Sequence, residues 1–194
     1  MELLDAYRRS LADFGRRVGQ VRPDQWSAPT PCVDWDVRVL VNHIVYEERW
    51  VAPLFAGATI AEVGDRFDGD LLGDEPVASA ADAAREAESA VAEPGALART
   101  VHLSFGDTPG EEYARQLLAD HLVHAWDLAA AVGADRRLDA EVVRFCAEWY
   151  ADREEMYRRS GMVGPRVGVP ADASGQDRLL GAFGRDPHWS PPAH

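Results

Sequence analysis

A chain of 194 residues with 46% apolar side chains is long enough for one domain with a buried core, and too hydrophobic for general disorder. Its 33 acids against 20 bases give a net charge of −13, which repels phosphate backbones and anionic lipid and so excludes nucleic acid and membrane surfaces as expected partners. No apolar run approaches a membrane span, and Met1-Glu2-Leu3-Leu4-Asp5 lacks the basic and apolar regions of a signal peptide, so a cytoplasmic location is expected.

In chain order, Leu4, Tyr7, Leu11, Phe14, Val18 and Val21 recur at spacings of 3-4-3-4-3. That is the period of a helix with one buried face, leaving Arg8, Arg9, Arg16 and Arg17 on its wet side. Arg22-Pro23-Asp24 ends it, and a loop dense in Pro, Trp and Asp follows to Trp35. Asp34 is expected to cap a second helix carrying Val37, Leu40, Val41, Ile44, Val45 and Val51, closed by Pro53 and Gly57. Residues 58–76 read as a long loop. Val77 to Ala92 reads as a helix with a thin apolar face, stopped by Pro94-Gly95, and Arg99 to Phe105 as a short extended piece.

Thr108-Pro109-Gly110-Glu111 predicts a helix start, with Thr108 as N-cap and Glu111 closing a capping box. That helix should reach Val132 and end at Gly133. Asp139 can cap another, burying Val142, Val143, Cys146, Trp149, Tyr150 and Met156. Val163 to Pro170 looks extended, Gln176 to Phe183 helical, and Pro187 onward a tail. The pattern predicts an all-α, four-helix up-and-down bundle over 1–160 with a long connection. A short irregular C-terminal extension over 161–194 is expected to pack on it.

The chemistry gathers on two of these helices. Asp120 and His124 stand four residues apart, on one helix face, and His43 lies on the second helix. Two imidazoles and a carboxylate make a divalent-metal site with room for water or substrate. A solvated or hydrogen-bonded side chain is the competing reading at each position. His121 is an alternate ligand or a neighbour of the ligands. Asp127 suits an acceptor that orients a ligand histidine. Glu47, one turn from His43, is the candidate catalytic base, with a solvated face residue as the alternative.

Cys32 and Cys146 match neither a zinc-finger nor a disulfide spacing, which suits reduced thiols. Cys32, eleven residues before His43, either reaches the metal or is a small buried hydrophobe. Trp35, Trp126 and Trp149 read as core, and His102, His188 and His194 carry no readable chemistry.

Three segments carry a family resemblance. Thr30-Pro31-Cys32-Val33-Asp34-Trp35-Asp36-Val37-Arg38, leading into Asn42-His43, resembles the first block of the mycothiol-dependent maleylpyruvate isomerase metal-binding domain, one of the DinB-like proteins. Asp120-His121-Leu122-Val123-His124-Ala125-Trp126-Asp127-Leu128-Ala129 is similar to its second block. Asp177-Arg178-Leu179-Leu180-Gly181-Ala182-Phe183-Gly184-Arg185-Asp186-Pro187 resembles the closing signature of short actinobacterial members.

The resemblance implies a DinB-like bundle holding a divalent metal, usually zinc, with His43 and His124 at the histidine positions. Asp120 stands where the isomerase pattern has Glu, one methylene shorter. It further implies a zinc-dependent thiol S-transferase or isomerase, with mycothiol as the thiol and a small electrophile as substrate. A non-catalytic, metal-stabilised binding module is the alternative, because the isomerase pattern has a further C-terminal domain that 34 residues after Ser160 cannot match. Arg185 is the candidate group for an anionic carboxylate of substrate or thiol cofactor, against a surface ion pair. A homodimer is a permitted assembly.

Overall fold

The 3-4 spacing of the first segment forms helix α1 (Leu3–Val18), which buries Tyr7, Leu11, Phe14 and Val18. The computed structural model describes residues 1–192. Arg17, expected on the wet face, is instead 2% exposed: it reaches across to Asp13 and to the backbone carbonyls of Asp135 and Arg137. A guanidinium tolerates that burial because a carboxylate and two carbonyls satisfy its donors.

Helix α2 (Val37–Phe55) starts two residues later than Asp34 would place it. Asp36 is the cap, accepting from the Val39 amide at 2.8 Å. Asp34 is spent on the loop before it: the Trp35 amide bonds the Cys32 carbonyl, and Asp34 takes the left-handed third position of that turn at φ 67°. Asp and Asn accept that conformation more readily than other side chains. Pro53 lies inside the last turn of α2 rather than ending it.

The stretch read as a long loop contains one helical turn, α3 (Ile60–Val63), closed by a Thr59–Glu62 capping box. Asn42 ties the rest down, donating to the Gly69 carbonyl and accepting from the Leu71 amide. Helix α4 (Pro76–Ala92) buries Ala80, Ala83, Ala87, Ala90 and Val91, the thin apolar face expected.

The extended piece pairs with its successor as a hairpin, β1 (Thr100–Leu103) against β2 (Gly106–Pro109). Thr108 therefore pairs with Val101 and does not cap α5 (Gly110–Val132), which has no side-chain cap at its start. Its hydroxyl turns to the Gly106 carbonyl instead. Only glycine fits at position 110: a Cβ there would meet the Ala96 carbonyl oxygen at 2.6 Å and the Phe55 ring at 2.9 Å. Helix α5 is buried on nearly every side and ends, as predicted, at Gly133 in the left-handed region.

Helix α6 (Ala140–Ala151) is capped by Asp139 but stops before Met156, which is 55% exposed on the separate α7 (Glu154–Arg159). The break turns the chain so that Tyr157 folds back onto Trp149 and Tyr150. Residues 163–170 form no strand among the described residues; one amide, Val167, bonds the Gly181 carbonyl of α8 (Gly175–Ala182).

Helices α1, α2, α4 and α5 form the four-helix bundle. Its main pairs are α1 with α5 and α2 with α4, closed by α1 with α4 and α2 with α5. Consecutive helices α1 and α2 thus stand diagonally, and the Pro- and Trp-rich loop between them crosses the bundle. Helix α6 flanks α5 and α1, with α8 packed on α6. Among the described residues no helix is long and apolar enough to cross a membrane.

Candidate metal centre

The α2–α5 contact brings His43 against Asp120 and His124. His43 Nε2 lies 3.1 Å from Asp120 Oδ2, and His124 Nε2 lies 3.3 Å from Asp120 Oδ1, so each carboxylate oxygen meets one imidazole. The ligand atoms of all three lie within 4.8 Å of one another. Bonds of about 2.0–2.1 Å to a tetrahedral ion set ligand atoms roughly 3.3 Å apart, so this donor set fits zinc with small adjustments. The His43 and Asp120 side chains are 27% and 33% exposed while His124 is 7%, which leaves the centre approachable from one side.

Charge in this cluster is tightly matched. Enclosure alone would raise the Asp120 carboxyl, but the His124 and His43 imidazoles outweigh it and hold the group well below the usual carboxylate range. Burial likewise opposes charge on His124; Asp120, Asp127 and Cys32 together push it well above the ordinary histidine value. A cation bound here would compete with the proton that the neighbouring acids favour on His124.

Behind His124 sits a second layer. Its Nδ1 is 2.9 Å from Oδ2 of Asp127, a residue with no solvent exposure. Asp127 also accepts from Arg185, with Nε at 3.1 Å from Oδ1 and Nη2 at 2.9 Å from Oδ2. Cys32 completes the group: its thiol lies 3.3 Å from Asp127 Oδ2, 3.2 Å from Arg185 Nη2 and 3.8 Å from His124 Nδ1. Cys32, His124 and Asp127 also converge closely enough for a metal. A cation there would face the Arg185 guanidinium, so His43, Asp120 and His124 are the better cation site.

Trp35, from the crossing loop, covers the imidazoles. Its indole is 4.9 Å from the His43 ring and 5.8 Å from the His124 ring, at 24° to the latter. Glu47 borders the same space, and among the described residues no hydrogen bond fixes its carboxylate. Burial and then the Asp120 charge push its carboxyl up to about 7, against the opposing pull of the three imidazoles.

His121 points elsewhere. It is 1% exposed, 3.4 Å from Glu48 across α2 and edge-on to the Tyr7 ring, so it belongs to the bundle interior and not to the ligand set. The contact with Glu48 is long, and neither ring nitrogen makes a hydrogen bond among the described residues.

Of the sequence-selected residues, His43, Asp120 and His124 thus come together, Asp127 stands behind His124, and Glu47 lies near enough for the Asp120 charge to act on its carboxyl. Cys32 reaches the far side of His124. Arg185 arrives as well, but with its guanidinium committed to Asp127, Cys32 and the Phe183 carbonyl rather than open to an incoming anion. Sequence reasoning missed Trp35 as a cover and Glu48 as the partner of His121. Glu48 follows Glu47 and so faces the neighbouring side of the helix, which was the available signal. Trp126 and Trp149 are core as expected. His102 pairs with Asp107 in the hairpin, and His194 lies outside the described residues.

Comparison with known proteins follows the same lines. The family model described as the mycothiol maleylpyruvate isomerase N-terminal domain matches residues 7–129. Two curated proteins of Mycobacterium tuberculosis, one from strain CDC 1551 / Oshkosh and one from strain ATCC 25618 / H37Rv, both described as uncharacterized, are each 35% identical over 142 residues. The match covers 73% of this chain and 74% of each of them. The crystal structure of the mycothiol-dependent maleylpyruvate isomerase is similar with a TM-score of 0.59, at 16% identity, over 78% of this chain and 72% of that one. At that identity the likeness speaks to the fold.

Proposed function

The chain belongs to the family of the mycothiol maleylpyruvate isomerase N-terminal domain, and from that premise we propose that it is a zinc-dependent thiol S-transferase or isomerase acting on a small electrophile. The observation that carries this reading is the convergence of His43, Asp120 and His124 on a partly open side of the bundle, beside an unanchored Glu47.

A divalent ion in this N,N,O donor set would lower the pKa of a thiol beside it and present thiolate at neutral pH. Mycothiol, the thiol in the family's description, is the one proposed. Glu47 accepts the thiol proton; in the metal-free site burial and the Asp120 charge push its carboxyl up to about 7, and a bound cation beside it would favour the carboxylate that acts as base. The sulfur forms a bond to the electrophilic carbon, whose π electrons move onto the activating carbonyl group. In a transfer Glu47 returns the proton to the adjacent carbon and the thioether remains. In an isomerisation the adduct turns about the former double bond, now single; the electrons on the carbonyl group then return to re-form that bond as the C–S bond breaks, and Glu47 returns the proton to the departing thiolate. Trp35 covers one side of the imidazole pair, and the side left open is where thiol and electrophile would enter.

Elemental analysis of the purified protein, then calorimetric titration of the zinc-loaded form with mycothiol, tests this. About one metal per chain and saturable thiol binding support it. Stoichiometric metal with no heat from any low-molecular-weight thiol would favour a metal-stabilised binding module.

A further inference from the structure

Arg185 lies 58 residues beyond Asp127, yet the fold is built to deliver it there. Helix α8 ends in a Schellman motif: the Arg185 amide bonds the Leu180 carbonyl at 2.9 Å and the Gly184 amide bonds the Gly181 carbonyl at 3.1 Å. Gly184 supplies the required left-handed residue at φ 76°, and a Cβ there would come 3.1 Å from the Pro165 carbonyl oxygen. The turn sends the Arg185 side chain inward. The stacking of Phe183 on Tyr150, centroids 4.0 Å apart, holds the turn against α6.

Asp127 has no exposure to water, and a carboxylate so buried is costly without full hydrogen bonding and a counter-charge. Nε and Nη2 of Arg185 supply both, as a fork across its two oxygens. The oxygen nearer Cys32 is then the one that faces His124 Nδ1. A carboxylate on Nδ1 fixes which ring nitrogen carries the proton and how the ring is turned, leaving Nε2 toward Asp120 and His43.

We propose that Arg185 is a positioning residue of the metal centre: it locks the Asp127 carboxylate against His124, so that the segment after α8 sets the presentation of a ligand from α5. This inference rests on the metal reading above. It gives the closing Gly184-Arg185 of the chain a task inside the bundle, in place of anion capture at its surface.

The test measures zinc affinity by chelator competition, and the visible spectrum of the cobalt form, for wild type, Arg185→Met, Arg185→Lys, Asp127→Asn and the Arg185→Met/Asp127→Asn double variant. Arg185→Met should bind zinc about 10–100-fold more weakly, the cost of losing an outer orienting group, with shifted cobalt d–d bands. The double variant should bind no more weakly than the worse single one, because both changes break one linkage. Arg185→Lys should fall between, since an ammonium is a point charge without the fork.

Wild-type affinity and an unchanged cobalt spectrum in Arg185→Met would overturn the inference alone, as would additive losses in the double variant. If Arg185→Met does not fold, wild-type affinity in Arg185→Lys would overturn it. A wild type that binds no metal would overturn both the inference and the metal reading beneath it.

Discussion

The Trp35 indole lies at 24° to the His124 imidazole with ring centroids 5.8 Å apart, and the same indole tilts over His43 at 4.9 Å. One side chain from a loop therefore covers both histidines, which come from different helices. The cover exists because α1 and α2 stand diagonally, so their connection must cross the bundle where α2 meets α5.

Trp35→Ala should loosen the centre without dismantling it. Aromatic contacts of this kind contribute about 0.5–1.5 kcal/mol each, so losing both should lower zinc affinity about 5- to 150-fold while the far-UV spectrum stays helical. Trp35→Phe should recover most of the loss. Chelator competition at equilibrium measures this; equal zinc affinity in wild type and Trp35→Ala would show that the indole contributes nothing to the centre.

Much of this arrangement was legible beforehand, for physical reasons. The i, i+4 pair Asp120 and His124 needs only a helix to share a face, and Gly133 and Asp139 mark helix ends by local chemistry. Thr108 misled because a strand pairing with Val101 outcompeted its capping role. Asp34 misled because a turn claimed its backbone. Arg185 read as an anion-binding group or a surface ion pair, since nothing local reveals a buried partner 58 residues away. The burial of α5 on nearly all sides hid the fact that His121 faces Glu48 rather than the ligands.

The ligand role of Asp120 predicts an asymmetric response to substitution. Asp120→Asn should cut zinc affinity by more than about 100-fold, beyond the 10–100-fold typical of an outer hydrogen bond, because a neutral amide is a poor zinc ligand. Asp120→Glu should retain binding, since it keeps a carboxylate and adds one methylene of reach. Isothermal titration decides it: equal affinity in wild type and Asp120→Asn would remove Asp120 from the ligand set.

Glu47 predicts a pH dependence in the metal-free protein. Its carboxyl sits at about 7 when folded, against an ordinary 4.5. A raised folded value means that its contribution to stability is fully present below about 4.5 and is lost as pH rises through about 7. Glu47→Gln should therefore melt close to wild type near pH 4.5 and above it at pH 8. Thermal melts across that window check the sign. A constant difference between the two proteins would mean that Glu47 titrates normally.

The metal assignment predicts that His43→Ala and His124→Ala each abolish stoichiometric zinc while the bundle still folds, since neither histidine belongs to the apolar core held by α1, α2, α4 and α5. Inductively coupled plasma analysis beside far-UV circular dichroism reads both outcomes together. Full metal retention in the double histidine variant would place the ion elsewhere.

The most direct measurement is the absorption spectrum of cobalt-substituted Cys32→Ser protein titrated with mycothiol, the substitution removing the one thiol near His124 that would give a confounding signal. The proposed centre predicts d–d bands of a low-coordinate N,N,O site in the absence of thiol, and sulfur-to-cobalt charge transfer that saturates as mycothiol is added. A cobalt spectrum that small anions perturb and no thiol changes would contradict it.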